Sequence, residues 1–218
     1  MSTTYLQLVN DVLVRLREPT VTNVNENDYS ALISKLVVDA KREVEDAWNW
    51  DVLRTTYSIA TTAGVFNYTL TGAGTRFRVI QAANDTDDSF MEYRPAAYMT
   101  QNLILSGTAQ QGIPQYYNFN GVDSNGDSQV DIYPIPDNVY TLRFDVVKPE
   151  AELSANSDIT ELPKNPIVLL AWAKAIEERG EDGGIGISSQ YAVAKQSLAD
   201  HVAIEAGRRP DETNWYWV

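Results

Sequence analysis

The 218-residue chain contains no cysteine and a single histidine, His201. The first absence excludes disulfide bonds, thiolate metal sites and a cysteine nucleophile. The second excludes a histidine-rich metal cluster and leaves any Ser-His-Asp triad dependent on one residue of a late helix. Packing must therefore stabilise the fold, and the sequence predicts no catalytic, cofactor-binding or metal-binding residue.

Basic residues are scarce. The chain has 17 Lys and Arg against 30 Asp and Glu, which gives a formal net charge of −13. A protein that binds nucleic acid through its phosphates needs positive charge, and this net charge is negative. An acidic surface can still face DNA that has to slide past, because repulsion keeps the DNA from adhering. The composition disfavours tight DNA binding.

Long hydrophobic runs are also missing. No apolar run approaches the roughly 20 residues that cross a bilayer. The N-terminus has no basic region, and Asn10 and Asp11 interrupt the apolar run that follows it, so no signal peptide is expected. With 44% hydrophobic residues, the chain is expected to be a soluble protein that is made and folded in a cytoplasm.

The first fifty residues have helical periodicity. Apolar residues recur at three- and four-residue spacing in two segments, and they predict amphipathic helices over 4–17 and 28–48. Pro19 ends the first helix, and Thr3 or Thr4 is expected to cap it. We expect the two helices to form an antiparallel hairpin.

From Thr55 the periodicity changes to that of strands. Alternating runs at 57–61 and 66–70 predict a hairpin, and further strands are predicted near 76–82, 90–94, 116–119, 129–132 and 139–147. Helical periodicity returns after Pro163, in two segments ending near Gly180 and Ala206.

The predicted fold class is α+β, with a four-helix bundle formed by the N- and C-terminal helix pairs and an antiparallel β lobe inserted into it. The predicted domains are a helical bundle over 1–52 and 163–207, a β-rich lobe over 53–162 and an extended C-terminal tail over 208–218. A short helix is expected within the lobe, over 96–106.

Four short segments occur in the order typical of one family of phage proteins: Tyr5-Leu6-Gln7-Leu8-Val9-Asn10, Ala47-Trp48-Asn49-Trp50, Tyr133-Pro134-Ile135-Pro136-Asp137, and Glu161-Leu162-Pro163 before a helix. In this order the chain resembles the head-to-tail adaptor, or head completion, proteins of tailed bacteriophages, a family that includes the tail tubular protein A type of short-tailed phages. The resemblance spans most of the chain.

The resemblance implies a structural virion protein at the head-tail interface and not an enzyme. Such proteins bind the portal as an oligomeric ring, usually a dodecamer, and connect it to the tail nozzle or the next tail protein. The ring leaves a channel for genome ejection, so DNA would pass without specific binding. No cofactor and no membrane are implied.

Two groups of residues are candidate contact sites. The tail is too short and proline-broken to fold alone, and its aromatic end is expected to dock on the portal or a neighbouring subunit, with its arginines pairing with acidic groups. The alternative that the tail packs on its own bundle stays open. The tail docking residues are Arg208, Arg209, Trp215, Tyr216, Trp217 and Val218, and the possible tail-protein contacts are Phe119, Asp123, Asn125 and Asp127.

A second class of function stays open from the sequence, namely a carbohydrate-binding or peptidoglycan-hydrolysing virion module. It would use the aromatic residues Tyr116, Tyr117 and Phe119, or carboxylates near Trp48 and Trp50. The run from Asp123 to Asp127 also resembles a calcium loop. Its glycine is at the fourth position instead of the sixth, so a polar hairpin turn is predicted there.

Overall fold

The computed structural model describes residues 2–180 and 185–208, with side chains for 2–180 and 189–208. Within these residues the α-helices are α1 Tyr5–Arg15, α2 Asp28–Ala47, α3 Ala96–Thr100, α4 Lys164–Arg179 and α5 Ile185–Gly207. The strands are β1 Thr3–Thr4, β2 Arg54–Ala60, β3 Asn67–Thr69, β4 Arg78–Asn84, β5 Ser89–Phe90, β6 Glu92–Tyr93, β7 Gln111–Gly112, β8 Tyr116–Val122, β9 Ser128–Tyr133, β10 Ile135–Pro136, β11 Thr141–Val147 and β12 Ile159–Thr160.

The chain forms two compact units. The helical unit comprises Met1–Val52 with Glu150–Val218, and the sheet unit comprises Leu53–Pro149. Each unit buries its own apolar residues. The sheet unit is one continuous segment of the chain, whereas the helical unit is built from two separate segments.

In the helical unit, α4 is the central helix. It contacts α1, α2 and α5, and its buried side chains include Ile167, Leu170 and Ala171. Thr4, one of the two expected caps, begins α1 with a capping box, in which the Thr4 hydroxyl accepts a hydrogen bond from the Gln7 amide and the Gln7 side chain accepts one from the Thr4 amide. This cap satisfies backbone donors that the first helical turn leaves free.

Polar side chains fix the connection between α1 and α2. The amide group of Asn10 donates to the Val21 carbonyl over 3.0 Å and accepts from the Val21 amide over 2.8 Å. The Asn156 side chain accepts from the Val24 amide over 3.1 Å. The returning segment after residue 150 therefore helps to hold the first loop.

A buried charge network joins that returning segment to α2. Lys41, only 2% exposed, places its ammonium 2.6 Å from Glu45 and 3.4 Å from Glu150. Glu150 also accepts from the Thr160 hydroxyl over 2.7 Å and from the Glu161 amide over 2.8 Å. Because Thr160 pairs with Thr3 across β12 and β1, one network connects α2, the returning segment and the N-terminal strand.

The sheet unit contains two four-stranded sheets, with strand orders β2-β11-β4-β5 and β3-β9-β8-β6. Both supply residues to one core, in which Leu142, Phe144 and Val146 of β11 join Val130 and Ile132 of β9. Their alternation along each strand is the period-2 pattern of a half-buried sheet. A parallel pair, β7 with β10, is the third sheet of this unit, and β1 with β12 forms the fourth sheet of the chain.

The predicted four-helix bundle with one inserted lobe is wrong. The α+β structure has five α-helices in its described residues, and its strands lie in four sheets, one of them within the helical unit. Among the described side chains of α5 only Ala194 is buried, while Val193 and Ile204 are exposed. The reason is that helical periodicity identifies a helix and not its neighbours, and α5 packs chiefly on α4 instead of closing a bundle.

Replacing Lys41 by methionine tests the charge network. The variant should lose roughly 3 kcal/mol of unfolding free energy, because the Glu45 and Glu150 carboxylates would lose the buried cation that they contact. Lys35→Met is the matched control, since Lys35 is exposed on the same helix and its loss should change stability by less than about 0.5 kcal/mol. Urea unfolding measures both variants, and equal midpoints would contradict the role of Lys41.

Candidate functional site

The loop that was predicted as a tail-protein contact is a tightly built hairpin turn between β8 and β9. The Asp123 carboxylate accepts from the Asn125 amide over 2.8 Å and from the Asp127 amide over 2.9 Å. Gly126 has a φ of +83°, a conformation that glycine adopts without steric cost. The polar turn predicted from the sequence is confirmed, since the carboxylate serves its own backbone.

Asp127 connects this turn to a second loop, between β3 and β4. Its carboxylate oxygens accept from the amides of Gly72, over 2.8 Å, and Gly74, over 2.9 Å. Lys148 braces the same loop by donating to the Gly72 carbonyl over 2.6 Å. We call residues 71–75 and 123–127 the loop pair.

The contribution of Gly72, Gly74 and Lys148 was not predicted from the sequence. The available signal was the Gly-Ala-Gly run at 72–74, because both glycines have positive φ. Such a backbone can direct successive amides at one carboxylate. The partner of that run, 53 residues away along the chain, could not be read from local pattern.

Hydrogen bonds within the loop pair lower the pKa of one of its carboxylates. The amide of Gly72, then that of Gly74, lower the pKa of Asp127 below its ordinary value of 3.8, with a smaller contribution from the Lys148 charge. Asp127 is therefore ionised at neutral pH. Ser124, Asn125 and Gly126 remain exposed at the end of the turn, so the arrangement offers a braced polar surface for contact.

Phe119 takes part in the core of the sheet unit. Its half-buried ring meets Phe77 edge-on at 5.3 Å between centroids and lies 6.2 Å from Phe144. These contacts assign Phe119 a packing role, and its contact with a tail protein stays a prediction.

The aromatic residues proposed for a sugar-binding surface do not form an open row. Tyr117 is buried and packs edge-on against Phe144 at 5.4 Å. Tyr116 stacks on Tyr133, with centroids 6.4 Å apart, and has the Arg94 guanidinium 4.8 Å from its ring centre. These rings are engaged with one another, and sugar stacking needs a free aromatic face.

The carboxylates considered for hydrolysis are engaged as well. Glu43 pairs with Lys174 over 2.5 Å, and Glu45 is buried against Lys41. Trp50 is buried and donates its indole N–H to the Val44 carbonyl over 2.7 Å. The geometry therefore assigns Glu43, Glu45 and Trp50 to packing between helices and to the helix end.

Of the predicted tail docking residues, only Arg208 lies in the described part of the chain. Its guanidinium is 3.2 Å from the Glu205 carboxylate, one turn earlier. Arg209, Trp215, Tyr216, Trp217 and Val218 lie outside the described residues, and their docking role stays a prediction.

Residues 2–180 and 185–208 hold no group of three or more His, Asp or Glu side chains placed to bind a metal ion. Among the helices described, none combines the length and apolarity that a membrane crossing requires.

Asp127→Asn tests the coupling within the loop pair. The variant should exchange the Gly72 and Gly74 amide hydrogens faster at neutral pH, because the charged acceptor is lost. Asp88→Asn is the control, since it removes the same charge from an exposed position outside the loop pair and should leave those amides protected. Hydrogen exchange read by NMR measures both.

The wild type should lose the same protection in acid. The folded-state pKa of Asp127 is depressed, so its contribution is complete above the unfolded-state pKa and is lost as pH falls through the folded value. Protection of Gly72 and Gly74 that ignores both the substitution and acid pH would contradict this role of the carboxylate.

Comparison with known proteins gives one clear assignment. The chain matches the family described as SU10 adaptor protein over residues 3–214. No curated protein matches it. The family consists of phage adaptor-type proteins, which are structural components of the virion and associate with other head or tail proteins. Since the match covers nearly the whole chain, this protein belongs to the SU10 adaptor protein family.

Proposed function

We propose that the chain is a head-to-tail adaptor, similar to the tail tubular protein A type, that forms a ring of twelve copies under the portal. The ring joins the portal to the tail nozzle or the next tail protein and leaves a channel for the genome. The main support for this proposal is the family match across residues 3–214, which cover the sheet unit and almost all of the helical unit. Contact surfaces, without chemistry, would perform this function.

The acidity of the chain supports the proposal that the ring leaves a channel for DNA. At −13 per copy, the charge would be repeated around a ring and would repel the DNA phosphates along the whole passage. Repulsion removes the counterion-release term that holds DNA on basic proteins. Genomic DNA could then pass during ejection without binding.

The braced loop pair supports a contact with the next tail protein. Asp127 links the two loops and Lys148 braces one of them before any partner arrives, so association would not have to order them. Asn125 and its exposed neighbours are the accessible part of this surface. Phe119 would support this surface indirectly, through its packing in the core of the sheet unit.

The composition of the C-terminal tail supports the proposal that it docks on the portal. The sequence Asn214-Trp215-Tyr216-Trp217-Val218 is uncharged and aromatic, and such side chains dominate the binding energy of protein interfaces. Repeating one modest contact around a ring gives avidity once the first copies are held. Arg208 and Arg209 would add pairing with acidic groups at the base of the tail.

Deleting residues 210–218 tests the docking role. The shortened protein should keep its melting temperature as a monomer and lose binding to the portal ring, measured by co-sedimentation. The full-length double variant Thr213→Ala/Asn214→Ala is the control and should bind as the wild type does. Unchanged binding of the deletion would refute the docking role, and a lowered melting temperature would favour packing of the tail on its own helical unit.

Electron microscopy of the wild-type chain mixed with its portal tests the proposed function itself. The expected result is a ring of adaptor density, twelvefold in symmetry, on one face of the portal with an open centre. A portal that stays bare at saturating adaptor concentration would overturn the proposal.

A further inference from the structure

The sheet unit exposes two adjacent aliphatic side chains at the end of a helix. Ile104 is 66% exposed and Leu105 is 67% exposed. They end the π-helical turn Gln101–Leu105 that continues α3, and no side chain in this turn is buried. Large apolar side chains exposed together commonly mark an interaction site, and π-helical turns are frequent at functional sites.

The turn is anchored from its N-terminal side. Met99 of α3 is buried, and the Tyr98 ring meets Tyr116 edge-on at 5.6 Å. The Asn102 side chain donates to the Tyr98 carbonyl over 2.8 Å, and the Ser106 hydroxyl donates to the Asn102 carbonyl over 2.8 Å. These contacts use the polar and aromatic side chains of the segment and leave Ile104 and Leu105 outside.

The segment after the turn is also held. Strand β7 pairs in parallel with β10, and the Ile135 amide donates to the Gln110 carbonyl over 3.0 Å. Both sides of the turn are therefore connected to the strands of the sheet unit. Ile104 and Leu105 are presented from a fixed base, which reduces the entropy that a contact has to offset.

The sequence around the two residues lacks charge. Residues 95–122 contain no Asp, Glu, Lys, Arg or His, and this is the longest such stretch in a chain whose net charge is −13. The stretch begins after Arg94 and ends before Asp123. The cores of protein interfaces are likewise depleted of charged residues.

We propose that Ile104 and Leu105 contact a second copy of this chain, an inference that rests on the proposed ring. Two copies that each carry −13 repel each other, so they approach at least cost through a segment that carries no charge of its own. A partner of opposite charge would instead gain from an acidic surface, which the uncharged stretch does not provide. The charge distribution therefore favours contact between like-charged copies at this site.

The absence of cysteine permits a direct test. Leu105→Cys would carry a benzophenone-maleimide probe, and irradiation of a mixture of ¹⁵N-labelled and unlabelled copies, free and bound to the portal, would be read by mass spectrometry. Val139→Cys is the matched control, because Val139 is 61% exposed in the same unit but outside the uncharged stretch. Chain-to-chain products from position 105 and not from 139 are expected. Products with the portal alone, or none between copies, would overturn the proposal.

Charge-introducing variants give a second readout. Self-association of the wild type should tighten as salt is raised, because screening weakens the repulsion between copies. Ile104→Asp and Leu105→Asp should each weaken it on the order of tenfold, whereas Val139→Asp should not, with far-UV circular dichroism checking the fold of all three.

Assembly on the portal separates an error in the contact site from an error in the proposed function. If the double variant Ile104→Asp/Leu105→Asp still assembles on the portal as the wild type does, the contact site is wrong and the ring stands. If the wild type itself forms no ring on the portal, the proposed function is wrong, and chain-to-chain crosslinks from position 105 would then have to be explained by another assembly.

Discussion

Burial of the Lys41 ammonium is the constraint on which the helical unit depends. A buried cation is costly unless carboxylates and hydrogen bonds satisfy it, and here Glu45 lies on the same helix while Glu150 arrives from the returning segment. Glu150 then holds Thr160, which pairs with the N-terminal strand. The two segments of the helical unit are thus joined by a charge network that neither segment can satisfy alone.

The sheet unit uses its polar groups in a comparable way. The carboxylates of Asp123 and Asp127 accept hydrogen bonds from backbone amides of two loops. The Arg94 guanidinium lies against the ring of Tyr116. Few reactive groups are left unengaged at these positions. Such an arrangement suits a family whose members are structural, because braced loops and exposed apolar side chains serve association and do not perform chemistry.

Much of the local structure could be predicted from the sequence, and much of the tertiary arrangement could not. Periodicity and capping residues located α1 and α2 to within a residue or two, and alternation located β11. Helical periodicity was predicted to return after Pro163, and α4 begins at Lys164. Strands of two residues, such as β1 and β12, have no readable period, and their pairing depends on partners more than 150 residues apart.

The candidate site was predictable in the same measure. The turn at 123–127 followed from its Asp, Asn and Gly residues, whereas its attachment to Gly72 and Gly74 required the fold.

The pairing of Thr3 with Thr160 has a further consequence for biosynthesis. A ribosome completes the sheet unit before it makes β12 and α4, so the sheet unit can fold during translation. The first two helices have to wait for their remaining partners until translation is almost finished.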